Sequence, residues 1–91
     1  VLRVPIETLA PEPFVLRRPF HVFVCPYDGE FMATFFDVGL SMSGDTPEEA
    51  VAHLKAVIVD TFDDFERNES RLGPGPARQL AVLREFIQNP A

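Results

Sequence analysis

Between Ser43 and Pro47 the spacing of apolar residues changes from two to 3.6, and no other feature constrains the fold of this chain as much. Upstream, Phe20-His21-Val22-Phe23-Val24-Cys25 and Phe31-Met32-Ala33-Thr34-Phe35-Phe36 read as strands. Between them stands Pro26-Tyr27-Asp28-Gly29, a turn in which Gly29 takes positive φ at no steric cost, so the two runs are predicted to form a hairpin. A second break at Asp37-Val38-Gly39 leads to a short third strand, Leu40 to Ser43.

Downstream, Thr46-Pro47-Glu48-Glu49 is a helix start. Thr46 can accept a hydrogen bond from the free backbone N–H three residues on. Pro47 suits the first helical position, where no N–H is needed. Glu49 can reach back in a capping box, and both glutamates complement the positive end of the helix dipole. From there to about Asn68, Ala50, Val51, Leu54, Val57, Ile58, Thr61, Phe62 and Phe65 share one stripe. Glu48, Ala52, Ala56, Val59, Asp63 and Arg67 fall on the opposite side, and His53 on the surface near Glu49.

The flanks are less regular. Pro5, Pro11 and Pro13 forbid a continuous helix in residues 1–13, which read as an extended arm, laid as a strand against the sheet or loose. Strand character begins at Phe14, and Pro19 interrupts it at an edge position or a bulge. After Leu72-Gly73-Pro74-Gly75-Pro76 a second helix begins at Pro76, with Leu80, Leu83, Phe86 and Ile87 at helical spacing up to Asn89-Pro90. It has three places to pack: on the exposed sheet face, along the first helix, or on a second subunit. The expected architecture is therefore α+β, in the order β-β-β-α-α. A three-stranded or four-stranded antiparallel sheet is packed by one long helix, and residues 14–72 and 73–91 form the core unit and the C-terminal helix.

An antiparallel sheet with one solvated face carries polar residues at alternate positions. Here Phe20, Val22 and Val24 back onto His21, Phe23 and Cys25, and Phe31, Ala33 and Phe35 onto Met32, Thr34 and Phe36. Both faces need cover, which predicts a homo-oligomer, dimer or tetramer, burying Phe23, Met32, Phe36, Leu83, Phe86 and Ile87.

With a net charge of −6, the chain lacks the clustered cations that phosphate contacts require; Arg17-Arg18 is its one basic pair. An acidic domain is better suited to a basic protein partner. No apolar run approaches the roughly 20 residues of a membrane span, and Val1-Leu2-Arg3-Val4-Pro5 does not read as a signal peptide. The single cysteine, Cys25, cannot form an internal disulfide, and a lone thiol fits a reducing, cytoplasmic setting.

No catalytic residues emerge. Nucleophilic catalysis needs Ser, Cys or Thr beside an oriented base. The two histidines are His21, read as a partly buried ring with a backbone partner, and the surface His53. Cys and His do not stand at zinc-ligand spacing, Asp28, Glu30, Asp37 and Asp45 occupy turns for backbone reasons, and no glycine-rich loop runs into Lys-Ser or Lys-Thr. The expectation is no metal and no cofactor. A magnesium ion held by those four carboxylates stands as a minor reading.

The order of strand, Asp28-Gly29 turn, strand, Asp37-Val38-Gly39-Leu40, then Gly44-Asp45-Thr46-Pro47-Glu48-Glu49-Ala50 opening a helix resembles the HicB-like family over about Phe20 to Phe65. The resemblance implies a partial ribonuclease-H-like domain of three antiparallel strands and a helix, often with a further short strand. It also implies a non-catalytic antitoxin role, masking a small basic mRNA-cutting toxin of the HicA type. Phe36 stands where the family usually has proline. The single C-terminal helix, with Arg78 and Arg84 as its only cations, is too little for the operator-binding segment many members carry. The partner-binding set expected on this reading is Tyr27, Asp28, Glu30, Asp37 and Asp45.

Overall fold

The computed structural model describes residues 1–10 and 12–88. Pro11 of the arm and the expected helix end at Asn89-Pro90 lie outside the described residues. Along the chain the elements are β1 (Leu2–Ile6), β2 (Val15–Leu16), β3 (Phe20–Tyr27), β4 (Glu30–Phe35), β5 (Leu40–Gly44), α1 (Pro47–Arg67), a 3₁₀ turn (Glu69–Arg71), α2 (Pro74–Phe86) and β6 (Ile87–Gln88).

The main sheet has four strands in the order β1-β3-β4-β5, each antiparallel to its neighbour. Its fourth strand is the N-terminal arm, ahead of the other three. Pro5 is tolerated because β1 is an edge strand. Pro26 is tolerated inside β3 because the last pairing with β1, Leu2 with Val24, lies two residues before it. The hairpin has the two-residue connection its sequence predicts: Asp28 (φ 50°) and Gly29 (φ 80°) both take positive φ between the paired Tyr27 and Glu30.

Thr46 caps α1 as expected, its hydroxyl accepting from the Glu49 N–H at 3.0 Å. Glu49 reaches back one residue further than a standard capping box, and its Oε1 accepts from the Asp45 N–H at 3.0 Å. Helix α1 lays Ala50, Leu54, Ile58 and Phe62 on the sheet face formed by Phe20, Val22, Val24, Ala33 and Phe35. Phe20 and Phe35 stack at 4.4 Å, and the ring of Phe86 meets both edge-on, at 5.6 and 5.5 Å.

Three expectations are corrected here. The run expected as one strand from Phe14 is divided: Val15–Leu16 leaves the main sheet and pairs instead with Ile87–Gln88. The second helix starts at Pro74 and packs on the same sheet face as α1. Leu83, Phe86 and Ile87, expected between subunits, are 0%, 5% and 1% exposed in this chain's own core, so a second subunit cannot reach them. Val59, placed on the outer side of α1, is buried because α2 packs on that flank. Glu66, seven residues on and thus on the same flank, accepts from Arg84 Nε at 2.7 Å.

Arg84 also donates both terminal nitrogens to Glu69, at 2.9 and 2.8 Å, and so ties α2 to the end of α1. These hydrogen bonds, then the guanidinium charge, hold the Glu69 carboxyl below its ordinary 4.5. The stabilisation is complete above that value and disappears as pH falls through the lowered one. Glu69→Gln is expected to lower the melting temperature slightly at about pH 6, since an exposed pair is well screened, and the two melting curves should converge once pH has fallen through the lowered carboxyl value. A constant offset across an acid titration would contradict this role.

Among the described residues no helix is long and apolar enough to cross a membrane.

Candidate functional site

Both helices share one face of the sheet, so the other face has no third layer. The shortest dimension of the molecule, 16 Å between Cα extremes, is the depth of one sheet and one helical layer. Register decides what that open face presents. Cys25 stands beside Met32 and Met32 beside Ser43; in the next row Arg3, Phe23, Thr34 and Ser41 run from edge to edge. The two inner strands thus supply a half-buried apolar strip, Phe23, Cys25, Met32 and Thr34, and the two edge strands supply a polar border. Tyr27 (64% exposed) and Phe36 (67% exposed) extend the strip, and the Phe36 ring sits 5.5 Å from that of Phe23.

The ends of this face differ in charge. At the hairpin end, Tyr27 and Glu30 are paired and Asp28 fills the turn between them. Pairing of Phe31 with Gly44 brings Asp45, and behind it the first turn of α1 with Glu48 and Glu49, to the same end. All of these carboxylates are exposed, and none is in an ion pair among the described residues.

At the opposite end, Arg3, Arg18, His21, Asp37, Pro19, Phe20, Phe23 and Phe86 line a basin of about 420 Å³. Arg3 Nη2 lies 3.4 Å from His21 Nδ1, and the Arg18 guanidinium stands 4.1 Å above the Phe86 ring and 3.4 Å from Glu85. Asp37 is therefore separated from the rest of the expected partner set. Glu30 and Phe35 mark the two ends of β4, about 17 Å apart, and Asp37 lies in the turn beyond Phe35. Arg3, Arg18 and Glu48 were not expected in a site from sequence; only register brings Arg3 level with Phe23, and only the turn after β2 brings Arg18 into the basin beside His21.

His21 departs from expectation and His53 stands on the surface as expected. His21 is exposed, and its neighbour is the Arg3 side chain. The Nδ1 of His53 lies 2.8 Å from the Ser43 carbonyl of the edge strand β5. Cys25 and His21 share a face but sit four residues apart on β3, about 13 Å, too far for a nucleophile and its base. The two groups with clearly displaced pKa values, Glu69 and Arg84, belong to the ion network between the helices and not to a cleft. No three His, Cys, Asp or Glu side chains are grouped as a metal site requires among the described residues.

Compared with known proteins, the chain matches no family model, no curated protein and no solved structure.

Proposed function

We propose that this chain is a non-catalytic protein-binding domain that takes a small basic protein at the hairpin end of its sheet. In the HicB-like resemblance that partner is an mRNA-cutting toxin of the HicA type. The observation that supports the reading is the gathering of Asp28, Glu30, Asp45, Glu48 and Glu49 at one end, with no cation paired to them among the described residues. Exposed carboxylates of one sign steer an oppositely charged protein and suppress wrong partners. Tyr27 adds a large amphipathic contact beside them.

The test is capture of a HicA-type toxin encoded beside this chain. Asp28→Lys with Asp45→Lys is expected to weaken capture at least about a hundredfold and to flatten its salt dependence, whereas Asp37→Lys at the far end leaves it near wild type. Equal binding by the tip variant, or a genome with no small basic neighbour to capture, would remove the support for this reading. A second reading, a self-assembling scaffold or regulator without a toxin, is favoured by the uncovered sheet face.

A further inference from the structure

We propose that the basin at the far end of the sheet binds a small phosphate monoester carrying a planar ring, a nucleoside monophosphate. The hairpin tip takes no part in it, so the toxin reading can fail while this site stands.

Three donor side chains meet in the basin from three separate segments. Arg3 comes from β1, Arg18 from the turn that follows β2, and His21 from β3. All three are exposed. Their places are set by neighbours. The Arg17 N–H donates to the Phe86 carbonyl at 2.7 Å and the Arg18 guanidinium lies 4.1 Å above the Phe86 ring, which anchors that wall to the end of α2. Arg3 can only donate, so its Nη2 at 3.4 Å makes His21 Nδ1 an acceptor and leaves Nε2–H as the free donor of the ring.

These donors lack an acceptor of their own. Arg3 is in no ion pair among the described residues. Arg18 gives Nη2 to Glu85 at 3.4 Å, an exposed pair that competes weakly with a bound dianion. A planar carboxylate is satisfied by one guanidinium fork, whereas the three terminal oxygens of a phosphate monoester take donors from three sides. Three sides are what Arg3, Arg18 and His21 offer.

The remaining walls select the rest of the ligand. Phe23 lines the basin, and the Phe36 ring, largely exposed, stands 5.5 Å from it, so a flat base has an aromatic surface to stack on beside the cations. Asp37 also lines the basin and is in no ion pair among the described residues. A carboxylate there repels bare phosphate and accepts hydrogen bonds from the hydroxyls of a sugar. The volume of about 420 Å³ falls in the range of small-molecule sites, roughly 300–1,000 Å³. A net charge of −6 repels long polyanions, which favours a single nucleotide over a nucleic-acid strand.

The experiment titrates the full chain with adenosine monophosphate (AMP) by calorimetry at low salt. Inorganic phosphate, adenosine and a terminally phosphorylated tetranucleotide serve as comparison probes. AMP is expected to bind with a dissociation constant of about 0.1–1 mM, inorganic phosphate about tenfold more weakly, and adenosine not measurably. Arg3→Ala and Arg18→Ala should each weaken AMP about tenfold. Arg67→Ala, which removes a cation paired with Asp63 on α1, should leave it unchanged. Phe36→Ala should lower AMP to about the affinity of inorganic phosphate and leave phosphate itself unaffected. All four side chains are exposed, and far-UV circular dichroism verifies the fold of each variant. Absence of AMP binding at about 10 mM, or an equal loss in Arg67→Ala, would overturn the proposal. Tighter binding of the tetranucleotide than of AMP would overturn it in favour of a nucleic-acid end. Asp28→Lys with Asp45→Lys should bind AMP no more weakly than wild type, and Arg3→Ala should still capture the toxin, so the two sites are read separately.

Discussion

Alanine at Gly44 is expected to cost about 3 kcal/mol or more, a drop of roughly 12–24 °C in melting temperature for a domain of this size. Gly44 ends β5 on the core face, where the chain turns back into α1. A Cβ built there would stand 2.5 Å from the Ala50 nitrogen and 2.9 Å from the Glu49 carbonyl carbon. Both are backbone atoms of the first helical turn, so no side-chain rotation relieves the overlap. The sheet and the helix would have to move apart, which would strain the Thr46 and Glu49 capping bonds worth about 1 kcal/mol. Gly75 is the internal control. It lies in the first turn of α2 with nothing within 4 Å of its added Cβ, so Gly75→Ala should be neutral or stabilise by up to about 1 kcal/mol. Thermal unfolding followed by circular dichroism compares the two; equal melting temperatures would show that the tight approach of α1 to β5 is wrong.

Leu83→Ala is the second large effect. Leu83 is completely buried, and truncation of such a leucine costs about 2–5 kcal/mol through lost transfer energy and the cavity left behind. Because its surroundings come from the same chain, the loss should be the same at every protein concentration. Had this residue belonged between subunits, the variant's deficit would shrink or grow with dilution. Urea unfolding at two concentrations a hundredfold apart distinguishes these cases, and a concentration-dependent midpoint shift confined to the variant would restore the intersubunit placement.

What could be read from sequence was local chemistry. Thr46, Pro47 and Glu49 act within four residues of one another, and Asp28-Gly29 needs only its two flanking strands, so the start of α1 and the hairpin were legible. The N-terminal strand was half legible: Leu2, Val4 and Ile6 alternate, but Pro5 masks the pattern until its edge position is known. Pairing of Val15–Leu16 with Ile87–Gln88 spans some 70 residues and leaves no local mark. Val59 was misplaced for a related reason. A helix wheel finds the stripe toward the sheet, and the flank covered by a second helix becomes visible only when that helix is in place. The surface divided in the same way. Tyr27, Asp28 and Glu30 stand together at one turn, whereas Asp37 lies at the other end because strand length, not sequence order, sets which turns are neighbours.

The short ladder between β2 and β6 also sets a condition on synthesis. Leu80, Leu83, Phe86 and Ile87 complete a core whose other members are made first, and the Phe86 carbonyl accepts from the Arg17 N–H at 2.7 Å. A ribosome that has just produced α1 therefore holds a sheet with an unfinished helical layer. Closure waits for residue 88, so native structure forms after translation of this region and not progressively along it.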